Sequence, residues 1–453
     1  MKRDFRRLLA MLTEAKASEL ELPFSVEKRD IEIPFIAKDG TVSTRSISIY
    51  LPETAKKPMP VIFVAHYEMT EADALLAMYL KKGWAVSTPI GYKTAYNGTL
   101  IDDDLIFNSA ALSVVKKQPD IDPTRIAVSG GSAGGYMAQM LSVLHLGICC
   151  TVSFSGITNI AFNMQYMMAA NAYNLQGMAA LTEEERQDLV RCMEEMPVPI
   201  LGAGADQFRP IQEKLQRDPN GEVWRALSPA CMTGCFANPI VFTHFTSDVL
   251  VPIDQLTKRF TYDKPGDSLP EGFRLRLSEF PLDRALGRSL SESLPADDTA
   301  ERQYPAPQAE GELIVVPFDI AKRFNIAVFD EGCVEGDAGH QKNFEIGTFD
   351  ATAYIEAQFD RSSRVTNWLT AGKLALMAER FAGTSSLIPG RVGIDDTAYG
   401  SVAMDREVVL EELSAIAEWH PAEVDGAFRE VLKERADLAE SLSEIKTEIQ
   451  GRL

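Results

Sequence analysis

The sequence predicts an α/β protein: a mostly parallel central sheet flanked by helices, with a helical cap inserted into it and a helical extension at the C-terminus. Three observations predict it. Strand-like and helix-like segments alternate from Pro60 to Gly156, the order that a parallel sheet with crossover helices requires. Pro60-Val61-Ile62-Phe63-Val64-Ala65 is a continuous apolar run, suited to a strand buried on both faces. The stretch "RIAVSGGSAGGYMAQMLS", Arg125 to Ser142, passes from strand to helix through a crowd of small residues around one serine.

Taken in order, the chain opens with "MKRDFRRLLAMLTEAKASEL", an amphipathic segment. Its apolar run, Leu8 to Leu12, is too short for a secretory leader and leads to no cleavage-like site. Residues 1–29 are read as a helical segment ahead of the core. "RDIEIPFIA" and "STRSISIYL" flank Lys38-Asp39-Gly40, where glycine permits positive φ, and predict an antiparallel hairpin. After the run at Pro60 comes "EADALLAMYLKKG", at helical spacing and stopped by Gly83. "WAVSTPI", "RIAVSG" and "ICCTVSFSG" are further strands, separated by the helices "DDLIFNSAALSVVKKQ" and "AGGYMAQMLSVLHLG". From Ile157 to about Asn238 the chain is Met-rich and without strand signals, and residues 161–237 are read as the cap. Strand character returns at "PIVFTHFTSD" and "FNIAVFDEG". Residues 256–312, rich in Pro, Ser, Gly and charge, form a long insertion between them. The core therefore comprises residues 30–160 and 238–359, and residues 360–453 are the helical extension. Within it Val424, Phe428, Val431, Leu438, Leu442, Ile445 and Ile449 follow steps of three and four, with Arg435 on the same seam. That is a coiled-coil-like stripe, serving either a homo-oligomer or packing on the parent domain.

The bulk numbers exclude several classes. With 45% hydrophobic and 24% charged residues among 453, the composition is that of a soluble globular protein. A formal charge of -20 argues against a nucleic-acid partner, because phosphates are repelled. No segment approaches the roughly 18 apolar residues that span a bilayer, so no membrane partner is expected. The six cysteines form no disulfide framework and predict reduced thiols in a cytoplasmic protein. Cys231 and Cys235 resemble half of a metal site, but no second Cys/His pair accompanies them.

The chemistry is carried by Gly130-Gly131-Ser132-Ala133-Gly134, a G-x-S-x-G pattern between strand and helix. Such a turn is tight enough that larger neighbours clash, and it holds a serine hydroxyl at its tip. The hydroxyl attacks only when a base takes its proton. Of the five histidines, His145 lies at the far end of the helix after the elbow and His420 sits in the acidic tail. His340 lies in "FDEGCVEGDAGHQKN", a glycine-rich loop after the last core strand, and is the candidate base. Asp248, just past the strand of "VFTHFTSDVLVP", is the preferred carboxylate to orient it; Asp330 and Asp337 compete. His244, in that strand, is read as structural or pocket-lining.

The order Ser132, Asp248, His340 resembles the α/β-hydrolase superfamily of serine hydrolases, in particular its esterase and prolyl-oligopeptidase-like branch. There a G-x-S-x-G elbow, a D-x-x-V-P acid loop and a G-H loop recur. The resemblance covers about residues 30–160 and 238–359. It implies an oxyanion hole made by the backbone N–H of Ala133 and by Tyr67, through its N–H or its phenol. Many relatives carry glycine in that loop, whereas this chain reads His66-Tyr67-Glu68. His66, Glu68, Met164, Tyr166, Met167 and Met168 are the expected substrate-facing residues, the methionines being adaptable apolar contacts. No metal or organic cofactor is needed. The expected reaction is hydrolysis of a carboxylic ester of a small, partly apolar substrate. The alternatives are hydrolysis of short peptides or amides, and a non-catalytic binding protein with a broken triad. Oligopeptidase-type relatives carry an amino-terminal propeller, which about thirty residues ahead of the first strand cannot build.

Overall fold

The computed structural model describes residues 24–37, 39–70, 73–90, 103–145, 147–158, 160, 163, 181–195, 228–229, 238–245, 251, 313–318, 324–329, 351–360, 374–375, 377–378, 410, 413–414, 417–418 and 421–453. Its strands are β1 (Val26–Ile36), β2 (Val42–Pro52), β3 (Met59–Val64), β4 (Ala85–Pro89), β5 (Ile121–Gly131), β6 (Cys150–Phe154), β7 (Ile240–Phe245), β8 (Leu313–Phe318) and β9 (Phe324–Phe329). The helices are α1 (Ala74–Lys81), α2 (Asp103–Lys116), α3 (Ala133–Leu144), α4 (Glu183–Glu195), α5 (Ala351–Asp360), α6 (Pro421–Glu434) and α7 (Ala439–Arg452).

All nine strands join in one sheet, in the order β1-β2-β4-β3-β5-β6-β7-β9-β8. The first hairpin forms as its turn residues predict: Ile36 faces Val42, and Gly40 takes φ 84. β1 begins at Val26, ahead of the expected core boundary at residue 30. From β4 through β3, β5, β6 and β7 to β9 the pairing is parallel, and β2 joins β4 antiparallel. β8 was not expected. Its "LIVVPF" shows no alternation, contains Pro317 and runs antiparallel to β9 at the sheet edge. An edge is where a strand tolerates proline, because only one side of the backbone must pair.

Side-chain alternation sets the two layers. Val61, Phe63 and Val128 point into one core with Leu105, Leu112, Met137 and Leu141 of α2 and α3. Ile62, Val64 and Ala127 point into the other, with Leu76 and Leu80 of α1 and Ile355 and Phe359 of α5. Phe359 meets Trp84 edge-on at 5.2 Å between centroids, which seats α5 on the sheet. Burying each such large side chain contributes roughly 1.5–3 kcal/mol. Because the strand run is buried on both faces, it needs no polar alternation.

The stripe in the C-terminal extension is covered within the chain. The helix breaks at Arg435 (φ -129, ψ 66), and a 3-10 turn, Ala436–Leu438, leads into α7. Lys446 of α7 reaches Asp425 of α6 at 3.0 Å, so the two helices form an antiparallel hairpin. Val424, Phe428, Val431, Leu438, Leu442, Ile445 and Ile449 share one core with Leu374, Met377, Leu410 and Leu413. The steps of three and four run through the break, which the spacing alone does not reveal. Among the described residues no helix is long and apolar enough to cross a membrane.

Candidate active site

The elbow closes where β5 ends and α3 begins. Ser132 belongs to both elements: its N–H continues the ladder to the Phe154 carbonyl (2.8 Å), and its carbonyl accepts the Tyr136 N–H (3.1 Å). To do this its backbone takes φ 53 and ψ -118, outside the regions favoured by L-residues. The glycines make that turn possible. A Cβ on Gly130 would lie 2.2 Å from the Gly134 carbonyl oxygen, and one on Gly134 would lie 2.6 Å from that of Ala65. Beneath the turn Gly135 meets Gly156 so closely that a Cβ would stand 2.7 Å from its Cα. Gln139 donates to Ser153 (3.0 Å) behind it, tying α3 to β6. The Ser132 side chain is half-buried and makes no capping hydrogen bond with its helix. A strained serine between strand and helix, at the centre of this strand order, decides the architecture. The chain has the α/β-hydrolase fold.

Ala133 opens α3, so its N–H has no intrahelical acceptor, and it sits at the positive end of the helix dipole. Within this α/β-hydrolase fold the neighbouring loop after β3 carries the second strained residue. His66 takes φ 71, and the following N–H, that of Tyr67, turns back to the Ala65 carbonyl at 2.9 Å. This is a γ-turn of the positive-φ kind. The Tyr67 ring lies against the elbow: a Cβ on Gly134 would be 3.2 Å from its Cδ2. It also packs edge-on against the His66 imidazole, centroids 4.6 Å apart. The Tyr67 and Glu68 side chains are half-buried, whereas His66 is buried completely. Burial, with the Arg45 charge adding to it, pushes the His66 pKa down to about 3, so its imidazole is neutral.

The ends of the central strands are level along one rim of the sheet. Gly131 is level with Phe154, Phe154 with Thr243, and Phe245 with Phe329. The chain therefore leaves β5, β7 and β9 along one edge, with Asp248 following β7 and His340 following β9 in sequence. Asp248, His340, Met164, Tyr166, Met167 and Met168 lie outside the described residues, as do Asp330, Asp337 and His420. His244 is buried in β7, and its Nε2 meets the Val251 carbonyl. That bond ties together the two ends of the segment carrying Asp248. His145 ends α3 with its Nε2 on the Ser109 hydroxyl at 2.8 Å, a structural contact inside the core. Among the described residues no group of three or more His, Cys, Asp or Glu is placed to hold a metal ion. One participant was missed in the sequence. Asn108, in the middle of α2, is fully buried and accepts the His66 N–H. An amide inside an apolar helical run was the available signal.

No family model and no curated protein matches the chain. Among solved structures it is similar to a puromycin hydrolase, at 17% identity and TM-score 0.37, over 59% of this chain and 39% of that one. It is also similar to acetyl xylan esterase 1 from Thermoanaerobacterium sp. JW/SL YS485 (15%, TM-score 0.33, 57% of this chain and 82% of that one). A third likeness is to the acylaminoacyl peptidase of Pyrococcus horikoshii (16%, TM-score 0.37, 76% and 42%). The chain thus spans about two fifths of the puromycin hydrolase, 39% of its length.

Proposed function

We propose that the protein is a serine hydrolase that cleaves a carboxylic ester through an acyl-enzyme on Ser132. The observation that carries this reading is the Ser132 backbone, held at φ 53 and ψ -118 by glycines that admit no Cβ. Strain of that kind persists only where the surroundings enforce it, and it serves to present a side chain. In the proposed reaction His340 takes the Ser132 proton as the hydroxyl oxygen attacks the ester carbonyl. The resulting oxyanion is held by the Ala133 N–H and, with the Tyr67 N–H engaged by Ala65, by the Tyr67 phenol. His340 then gives its proton to the leaving alcohol, and Asp248 stabilises the imidazolium. Water, deprotonated by the same imidazole, attacks the acyl-enzyme and releases the acid, restoring Ser132. β7 and β9 stand two and three strands from β5, so this reading requires the Asp248 and His340 side chains to come within reach of a serine roughly 10–14 Å from those strands. The His244–Val251 bond supports this reading, since its two residues flank Asp248 in sequence.

A fluorophosphonate probe tests the reading. The wild-type protein is expected to label covalently, and Ser132→Ala to lose both label and ester turnover, by at least about a thousandfold. Folded wild-type protein that resists the probe would leave a binding protein on a hydrolase scaffold as the better account. Comparison of p-nitrophenyl esters with aminoacyl anilides then separates ester from amide preference. Turnover of anilides above that of esters would overturn the ester assignment.

A further inference from the structure

We propose that Asn108 is a positioning residue for the oxyanion loop, acting through the main chain of His66; this rests on the serine-hydrolase reading above. Asn108 is fully buried in the middle of α2, where an amide competes with the helix for hydrogen bonds and needs partners of its own. It has two. Its Nδ2 donates to the Asp104 carbonyl at 2.8 Å, and its Oδ1 accepts the His66 N–H at 3.1 Å. Only one orientation of the amide satisfies both, because one partner is an acceptor and the other a donor. The bond falls on a residue in a costly conformation: His66 has φ 71, and its γ-turn directs the Tyr67 ring onto Gly134 of the elbow.

The helix position is itself anchored. Asp104, buried at 1% exposure, pairs with Arg45 of β2 at 2.6 Å, and the Arg45 guanidinium also lies 5.5 Å from the ring centres of Phe35 and Phe107. A continuous line therefore runs from β2 through Arg45, Asp104 and Asn108 to His66 and Tyr67. No atom of Asn108 need touch substrate. Its effect is to keep the loop in the one backbone state that places the Tyr67 ring against Gly134 of the elbow. Without Oδ1 as acceptor, the His66 N–H loses its buried partner and relaxation toward negative φ swings the ring away.

The test measures turnover per active site, titrated to completion with fluorophosphonate, so that unfolded protein does not count. Asn108→Ala is expected to lower kcat about ten- to a hundredfold with KM within about twofold, since the oxyanion forms only in the transition state. Affinity for a boronate transition-state analogue is expected to fall by the same factor. Val115→Ala, a core truncation on the same helix, is expected to leave kcat per titrated site unchanged. Asn108→Asp, protonated in this buried site, keeps an oxygen for the His66 N–H and an O–H for the Asp104 carbonyl, and is expected to retain kcat within about threefold of wild type. An Asn108→Ala enzyme with unchanged kcat, or with a defect in KM alone, overturns the proposal while leaving Ser132 as nucleophile. Should Asn108→Ala not fold, the Asp variant decides alone: a loss beyond about tenfold per site overturns the acceptor role. Failure of the wild-type protein to label at all is the separate failure of the serine-hydrolase reading.

Discussion

Glycine means opposite things at the elbow and in the terminal hairpin. At Gly130 and Gly134 an added Cβ would stand 2.2 and 2.6 Å from backbone oxygens, whereas at Gly426 and Gly451 it would meet nothing within 4 Å. The first pair sits where three pieces of main chain converge, and backbone oxygens cannot step aside as side chains do. The second pair sits on helices whose order comes from one buried stripe, with Leu442 at 1% and Ile445 at 0% exposure. Local chain path governs one region and an apolar face governs the other. The same residue is therefore a steric necessity in one place and an entropic burden in the other.

That contrast is breakable, beginning with its largest effect. Gly130→Ala forces the Gly134 carbonyl to move and is expected to cost about 3–5 kcal/mol in urea unfolding, together with loss of probe labelling at Ser132. Near-wild-type stability and labelling would mean that the elbow yields more easily than its contacts indicate.

Acid sharpens the comparison next. His66 is fully buried beside the elbow, and its pKa falls from 6.5 to about 3, because burial disfavours the charged form. The unfolded chain therefore takes up this proton first. The contribution from neutral His66 is complete above 6.5 and is lost as pH falls from there toward the folded value. The loss is about 1.4 kcal/mol per pH unit, or about 3 kcal/mol by about pH 4. In the hairpin the ion pairs are at the surface, where Arg435 lowers the Asp437 pKa and Lys446 meets Asp425. The sheet core is thus expected to lose amide-exchange protection in mild acid before α6 and α7 do. His66→Asn should flatten the core's stability between pH 7 and about pH 4 by roughly that slope. The smallest effect has the opposite sign. Gly426→Ala within α6 is expected to raise hairpin stability by about 0.5–1 kcal/mol, read from thermal unfolding.

How much was legible follows the same division. The strand run at Pro60, the hairpin at Gly40 and the elbow were readable because each is written in consecutive residues with one physical meaning. β8 was not, since Pro317 interrupts its apolar run and it follows directly on a Pro-, Ser- and Gly-rich stretch that reads as loop. The break at Arg435 was hidden because the apolar steps continue through it in register. Asn108 and the His244–Val251 tie escaped for a different reason. Each is a hydrogen bond between segments whose nearness depends on the finished sheet.

From the chain of letters alone came the layer architecture, the serine and the glycines around it, since steric demand and apolar period act over a few neighbouring residues. The folded molecule alone decided that the Tyr67 ring rests on the elbow, that His66 is sealed and neutral, and that an amide from α2 holds the loop between them. Those are contacts between distant segments. Packing density and desolvation create them, and neither exists until the sheet has brought the segments together.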